Sequence, residues 1–315
     1  MNPIILATVG DAIDKAFYGF DTWVYTLFGA IQNGFFTAVS KIFTSFGDEA
    51  FVIPMAIFGI VLCFFKKTRK YGFALIFAIA IGTIVTNVVV KPAVLRIRPY
   101  NTLQMTPFWS RYEAWYKAAG ALSESDYSFP SGHTTAAFEM AVATALCLRS
   151  DGKKKLSFIP PVIALCVMGS RVYLMVHYAT DVIGGCLVGT CAGVIAFFLS
   201  KLVVTKLFEG KKLDKIDAER LFKNGINPKL ATCAILTVIC ALFLVSYVPS
   251  LKEGGNYEQT CAYNHENFAD AKYDCYNAAR VDDDEYVAFD GDGDGDLDEY
   301  CKIHWNLLHS AEDAE

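Results

Sequence analysis

The chain has 315 residues, 54% of them hydrophobic and 19% charged, with a formal net charge of −5. So apolar a composition indicates a protein of the lipid bilayer, and nucleic acid is excluded as an expected partner. The charge is uneven: residues 251–315 carry 18 acidic and 4 basic side chains, a net −14, whereas the remainder has a net +9. The sequence therefore predicts a basic membrane body joined to an acidic tail.

Seven apolar runs of membrane length follow one another along the chain. They are residues 22–40, 50–65, 71–90, 132–148, 156–170, 182–200 and 230–248. A helix needs roughly 17–25 residues to cross about 30 Å of hydrocarbon, so the pattern predicts an all-α, polytopic membrane bundle. The first run follows several charged residues and is expected either to span the membrane or to lie in its interface. The fourth run contains one charge, Glu139, to which the sequence assigns no role.

Basic residues predict the orientation of the bundle. They cluster at 66–70, at 149–155 and at 201–229, and the positive-inside rule places these clusters in the cytoplasm. The connection at 91–130, the turn at 171–181 and the acidic tail then lie outside the cell. The N-terminus has no basic region and carries early acids, so no removable signal peptide is expected.

Three short segments at the ends of apolar runs bring cationic, hydroxyl and imidazole groups to the predicted outer side. They are Lys91 with Arg98-Pro99, then Pro130-Ser131-Gly132-His133, then Ser170-Arg171 with His177 and Asp181. Taken singly, a lysine at a span end is typical of an interfacial anchor, and a proline-serine pair is typical of a helix start. Together the segments predict a phosphate cradle with two histidines.

Each residue type in these segments suits phosphate chemistry. Arginine offers a planar fork and lysine a point charge to phosphate oxygens. A helix that begins after Ser131 presents free backbone N–H groups and a positive dipole end to an anion. His133 has the proton affinity of a general acid. His177 and Asp181 are four residues apart and share a face on a helix, so the carboxylate can hold one ring nitrogen while the other acts as a nucleophile.

The three segments resemble the motifs of the type 2 phosphatidic acid phosphatase superfamily, membrane lipid phosphatases related to vanadium haloperoxidases. The resemblance covers roughly residues 20–204 and all eleven fixed positions. It implies a six-helix core, a phosphohistidine on His177 that Asp181 orients, and protonation of the leaving oxygen by His133. The phosphate-binding residues that it implies are Lys91, Arg98, Ser131, Gly132, Ser170 and Arg171. No metal cofactor is expected for catalysis, because these groups supply the positive charge that Mg²⁺ supplies in other phosphoryl-transfer enzymes.

The resemblance leaves several functional readings open. The expected partner is a lipid phosphate in the bilayer of the plasma membrane: a polyprenyl diphosphate, phosphatidic acid or phosphatidylglycerol phosphate. One alternative is a phosphotransferase that passes the phosphoryl group to another lipid or a sugar. A second is a calcium- or partner-binding surface protein with a degenerate phosphatase body. A haloperoxidase is disfavoured because the known ones are soluble, and the oligomeric state stays open.

Four other features have weaker interpretations. Arg96 lies off the motif pattern and is interpreted as a surface or lipid-headgroup contact, and Pro99 is predicted to end its helix. Glycines at 185, 189 and 193 predict close packing of the sixth apolar run against another helix. Aromatic residues of the 100–129 connection are predicted to form a cap over the site at headgroup level. They are Trp109, Tyr112, Trp115, Tyr116 and Tyr127.

The tail lies outside the phosphatase pattern. Its alternating acids resemble an EF-hand calcium loop, with Gly295 at the sixth position, although Cys301 replaces the usual glutamate at the twelfth. The candidate calcium ligands are Asp290, Asp292, Asp294, Asp296 and Asp298. A solvated acidic linker is the alternative. Three tail cysteines on the extracytoplasmic side predict one disulfide and one free thiol, with the pairing open.

The predicted organisation has five parts. They are an N-terminal interfacial or first membrane helix (1–48), a phosphatase core (49–204), a basic cytoplasmic link (205–229), an additional span (230–248) and the acidic tail (249–315).

Overall fold

The computed structural model describes residues 8–122, 124, 126–218, and the backbone of 287–289 and 299–301. Within 8–218 the described chain is helical, which confirms the predicted class of the membrane body. The tail adds two short strands that the all-α prediction lacks, β1 (Val287–Phe289) and β2 (Glu299–Cys301), paired antiparallel with Ala288 opposite Tyr300. Val287 and Phe289 in β1 and Tyr300 in β2 are of residue types that favour β structure. The five candidate calcium ligands fall between the strands, outside the described residues.

The helices of the described body differ in length and continuity. In chain order they are α1 (Val9–Ala30), α2 (Gly34–Thr44), α3 (Glu49–Cys63), α4 (Arg69–Thr83), α5 (Lys91–Val94), α6 (Pro99–Thr102), α7 (Trp109–Ala119), α8 (Gly132–Ser150), α9 (Ile159–Tyr173) and α10 (Ala179–Val203). Wider π-helical turns continue α4 over Ile84–Val90 and α10 over Val204–Phe208. Single 3₁₀ turns lie at Ser45–Gly47, Leu103–Met105, Leu156–Phe158 and Lys212–Lys215.

Three helical stretches within the described residues are long and apolar enough to cross a membrane. They are Arg69–Thr102, Leu156–Tyr173 and Ala179–Phe208. The bent pair Gly34–Gly47 and Glu49–Cys63 makes a fourth if it counts as one span. This is the architecture of a multi-pass membrane protein. The additional span predicted at 230–248 lies outside the described residues.

The first apolar run, 22–40, is divided between two helices, so the N-terminal part does not form the single helix that was predicted. α1 begins at Val9 and ends at Ala30, and α2 starts after Asn33. The Asn33 side chain accepts a hydrogen bond from the backbone N–H of Phe36 at 2.9 Å. An asparagine in this position starts a new helix by satisfying a free N–H group. The charged residues before the run belong to α1, which Thr8 caps.

α8 and α10 pack backbone to backbone, as the glycine spacing predicts. A Cβ added at Gly185, Gly189 or Gly193 would come within 2.5–2.8 Å of a backbone oxygen of α8. Only glycine therefore permits this approach without a shift of one helix. The contact fixes the start of α8 beside the start of α10, which brings two of the three motifs together.

The aromatic side chains of α7 form a buried core and not an exposed cap. Trp109, Tyr112 and Tyr116 are buried and pack with Tyr25 and with the segment that precedes His177. The Tyr112 hydroxyl donates a hydrogen bond to the backbone oxygen of Met175. The predicted cap is therefore wrong for these three residues, because their rings support the loop that carries the third motif.

Candidate active site

The three motifs meet at one end of the helices α4, α8, α9 and α10. Lys91 begins α5, and the chain reverses directly after that helix because Leu95 adopts a left-handed conformation, with φ of 57°. This reversal places Arg98 beside the loop between α9 and α10. Pro99 does not end the preceding helix as predicted, but is the first residue of α6. Proline favours that position because its missing N–H would have no partner there.

His177 is fully buried and held on both sides of its ring. Its Nδ1 lies 3.3 Å from Oδ2 of Asp181, and its Nε2 lies 2.9 Å from Nη1 of Arg98. The guanidinium of Arg98 can only donate, so Nε2 must be the unprotonated nitrogen that accepts. Nδ1 then carries the hydrogen and donates it to Asp181. The arrangement leaves Nε2 as the reactive nitrogen, directed at a cation.

Asp181 is oriented by more than the imidazole. The backbone N–H of Tyr178 and the hydroxyl of Ser128 both donate to its Oδ2, at 3.0 and 2.5 Å. α10 begins at Ala179, so the contact between His177 and Asp181 is made across the helix N-terminus and not along a helix face as predicted. The contact itself is confirmed.

Three motif cations, Lys91, Arg98 and Arg171, are paired with two acids of the loop before α8. Arg98 contacts Oε2 of Glu124 at 2.5 Å and also pairs with Asp126. Lys91 pairs with Asp126, and Arg171 with Glu124. Two carboxylates therefore occupy the centre of the cation cluster. An incoming phosphate would present the same kind of oxygen to the same donors, and it would have to displace both side chains.

The cations make both acids unusually strong. Burial opposes ionisation of Glu124, but Arg171 and Arg98 outweigh it and hold the pKa of that carboxyl well below its usual range. For Asp126, burial likewise raises the pKa, but the charges of Arg98 and Lys91 outweigh it and lower the pKa to about 2. The cluster is therefore an anion site, because it stabilises the charged form of both carboxyls.

The start of α8 completes the cluster. A Cβ added at Gly132 would lie 3.7 Å from Nζ of Lys91, so the free backbone groups of the first turn lie beside that cation. The Ser131 hydroxyl accepts from the backbone N–H of Thr134 at 3.4 Å and caps the helix. His133 is partly exposed, and its Nε2 lies 3.8 Å from Oδ2 of Asp48. Its imidazole therefore borders the cluster from the solvent side.

Comparison with known proteins identifies the family to which this chain belongs. Residues 71–205 match the model of the PAP2 superfamily. The chain is also 30% identical over 173 residues to an undecaprenyl-diphosphatase of Sulfolobus acidocaldarius, an alignment that covers 55% of this chain and 74% of that protein. The chain belongs to the PAP2 superfamily.

Two further comparisons, one of sequence and one of structure, found similar proteins. It is 33% identical over 166 residues to phosphatidylglycerophosphatase B of Bacillus subtilis, covering 50% of this chain and 70% of that protein. The crystal structure of a transmembrane PAP2 type phosphatidylglycerolphosphate phosphatase from Bacillus subtilis superposes with a TM-score of 0.48 and 28% identity, covering 64% of this chain and 94% of that one. The family model and the two sequence relatives confirm the family predicted from the three motifs.

Ser170, one of the motif residues, does not direct its hydroxyl hydrogen toward the cation cluster. The hydroxyl of Ser170 donates to the backbone oxygen of Val167 within α9, at 2.6 Å. Ser128, by contrast, contacts Asp181 and was not predicted from the sequence. Neither Ser128 nor Glu124 has a local signal that distinguishes it from an ordinary loop residue. Their only hint is their position, within ten residues before His133.

Arg96 is a buried structural cation, and its interpretation as a surface or lipid contact is wrong. It is 1% exposed. Its guanidinium donates to Asp14 at 2.8 Å, to Asp21 at 2.8 Å and to Asp181 at 2.5 Å. It also stacks over the ring of Tyr178 at 3.8 Å. Arg96 therefore fixes Asp181 to α1, a contact that the motif pattern of the family does not include.

Acid is expected to destabilise the protein from near neutral pH downward, with His177 responsible for the first part. Burial and the positive charge of Arg98 lower the pKa of His177 from 6.5 to about 3. The unfolded state therefore binds a proton before the folded state does as the pH falls. The stability that the neutral imidazole supports is complete above about 6.5 and is lost progressively toward pH 3.

The melting temperature in detergent between about pH 7.5 and 4.5 tests this expectation. The wild type should lose stability over this range, and His177→Asn should lose less, because asparagine takes up no proton. Parallel curves for the two proteins would contradict the assignment of this proton to His177.

Proposed function

We propose that this protein is an integral-membrane lipid phosphatase that hydrolyses a lipid phosphomonoester or diphosphate through a phosphohistidine on His177. The observation that carries the proposal is the position of His177. Its unprotonated Nε2 lies 2.9 Å from Arg98, one of the three cations of the cluster, while Asp181 holds the opposite nitrogen. A nucleophile held in one tautomer beside preorganised positive charge is the arrangement that phosphoryl transfer needs.

The reaction proceeds in two displacements. The phosphate replaces Glu124 and Asp126 on the cations, and Nε2 attacks phosphorus as the bond to the lipid oxygen breaks. His133 gives its proton to that leaving oxygen. A water molecule then attacks the phosphohistidine, His133 takes the proton of this water, and Nε2 is released with free phosphate.

The residues of the cluster can supply the charge compensation without a metal. Lys91, Arg98 and Arg171 contribute three positive charges, and the start of α8 adds backbone N–H groups. The developing charge on the equatorial oxygens is therefore met by groups that are already in place. The proposal assigns no catalytic metal. Calcium enters it only as an ion that the tail acids are candidates to bind.

The basic loops support the proposed topology. The site and the acidic tail face the outside of the plasma membrane, and the clusters at 66–70, 149–155 and 201–229 face the cytoplasm. In this proposal residues 49–204 with the N-terminal helices form the six-helix core, residues 205–229 are the cytoplasmic link, and residues 230–248 add the seventh span. The tail, 249–315, is a separate extracytoplasmic segment.

Phosphate release by the purified full-length protein tests the proposal. Undecaprenyl diphosphate and phosphatidic acid are supplied separately in detergent micelles, with and without excess EDTA. The expected result is phosphate release from one or both lipids at a rate that EDTA leaves unchanged. Release that stops in EDTA and returns with Mg²⁺ would contradict the metal-free mechanism. Transfer of labelled phosphate to a lipid or sugar acceptor, with none released, would make the protein a phosphotransferase.

A further inference from the structure

A cavity of about 750 Å³ extends from the cation cluster into the helical body. Lys91 and His133 line it at the cation cluster, and residues of α3, α4 and α8 line the rest, including the apolar Ile53 and Ala56 of α3. Its position makes it the continuation of the phosphate site toward the rest of the substrate. A lipid chain alone would call for apolar walls throughout.

The deep part of this cavity is not purely apolar, because it contains the carboxyl group of Glu139. Glu139 is 1% exposed, and its Oε2 has no hydrogen-bond partner among the described residues. The other two buried acids in the described body, Asp21 and Asp181, are both paired with Arg96. A buried carboxyl without a partner is costly. Contacts among the described residues therefore do not explain why the Glu139 carboxyl is buried.

The helices around Glu139 leave room for this carboxyl. A Cβ added at Gly82 of α4 would lie 1.4 Å from Oε2 of Glu139, so no residue other than glycine fits there with the side chain in place. One turn further along, the hydroxyl of Thr86 is also buried without a partner and lines the same cavity. Two unpartnered polar groups on facing helices thus border one space.

We propose that Glu139 and Thr86 form a subsite for an uncharged hydrogen-bonding group of the lipid substrate, a hydroxyl or an ester carbonyl close to the phosphoester. This inference rests on the proposed phosphatase function and extends it to the substrate class. A carboxyl group can accept a hydrogen bond in either protonation state and can also donate when protonated, and the threonine hydroxyl does both. The pair can therefore form hydrogen bonds with either a hydroxyl or a carbonyl group of the lipid.

The location of the subsite selects glycerol-based lipid phosphates. Glu139 lies six residues after His133 on α8, which is about 9 Å along the helix axis. A glycerol backbone with its ester groups reaches this depth when its phosphate lies in the cluster. A polyprenyl chain carries only hydrocarbon beyond its diphosphate and would leave both polar groups unpaired. The subsite therefore favours phosphatidic acid or a phosphatidylglycerol phosphate over a polyprenyl diphosphate.

Two substitutions that keep the shape of the cavity test this subsite. Glu139→Leu and Thr86→Val remove the polar groups, and Glu139→Gln keeps a group that donates and accepts. The apolar variants should lower kcat/KM for phosphatidic acid by about tenfold each, mainly through KM, the order expected for one lost hydrogen bond. Undecaprenyl diphosphate should be hydrolysed as before, and Glu139→Gln should stay near the wild type. Glu209→Leu, at the far end of α10, is the matched control and should change neither rate.

Equal losses on both lipids, or no loss on phosphatidic acid, would overturn the subsite. The thermal shift produced by a non-hydrolysable phosphonate analogue of phosphatidic acid separates this result from a failure of the proposed function. A shift in the wild type that shrinks in Thr86→Val would support the subsite even in a protein that released no phosphate. Turnover of both lipids with a shift that neither apolar variant alters would leave the phosphatase standing and refute the subsite. Should Glu139→Leu fail to fold, Thr86→Val decides both measurements.

Discussion

His177→Ala is expected to abolish phosphate release, with a loss of at least about a thousandfold in kcat. The reason is that Nε2 of His177 is the group proposed to form the covalent bond, and alanine has no nucleophilic atom to replace it. Lipid binding should change little, since Lys91, Arg98 and Arg171 remain. Phosphate release from phosphatidic acid, measured beside a binding assay with its phosphonate analogue, checks both parts.

His177→Asn is the matched control for this variant, because asparagine fills more of the volume and can still hydrogen-bond Asp181. It should be as inactive as His177→Ala while keeping the elution profile of the folded protein in detergent. Residual activity above about a tenth of the wild type in either variant would show that His177 does not carry the phosphoryl group.

Arg96→Met is expected to destabilise the protein by about 3–5 kcal/mol, the range found when one partner of a buried ion pair is removed. The methionine fills much of the same space but leaves Asp21 and Asp181 buried with no cation. The remaining folded protein should also have a lower kcat, because Asp181 loses the contact at 2.5 Å that holds it in position for His177. Unfolding in denaturant and steady-state turnover measure the two effects.

A second substitution separates loss of the charge balance from loss of packing. Asp21→Asn should cost more stability in the wild type than in the Arg96→Met background, because in that background Asp21 has already lost its cation. Arg149→Met removes an exposed arginine at the other end of α8 and should leave stability within about 0.5 kcal/mol. If Arg96→Met were as mild as this control, the buried network would have no structural role.

Much of the site was visible in the sequence because its signals are local. The three motifs each combine residue types whose chemistry suits phosphate with a position at the end of an apolar run, and the structure brings Lys91, Arg98, Arg171 and His177 together. The glycine spacing of α10 likewise predicted a close helix contact. These features depend on residues that lie close together in the chain, which the sequence displays directly.

The features that the sequence did not predict depend on partners far along the chain. Arg96 has no local partner, and its acid Asp21 is 75 residues earlier, so only the folded bundle shows the pairing. Glu124 and Asp126 gain their role from three cations on other helices. The break at Asn33 interrupts an apolar run that has the length of a span, because one capping hydrogen bond favours a new helix there. In the first two cases tertiary contacts decide the structure, whereas the cap at Asn33 is a local signal within an otherwise apolar run.

Trapping of the phosphoryl-enzyme tests the central claim most directly. The purified protein is mixed with phosphatidic acid labelled with ³²P in its phosphate, quenched in alkali within milliseconds, and analysed for label on the protein. The account predicts label that is stable in alkali, lost in acid, located on the peptide containing His177 and missing in His177→Ala. Rapid phosphate release by the wild type with no protein-bound label at any quench time, or label that persists in His177→Ala, would contradict the phosphohistidine mechanism.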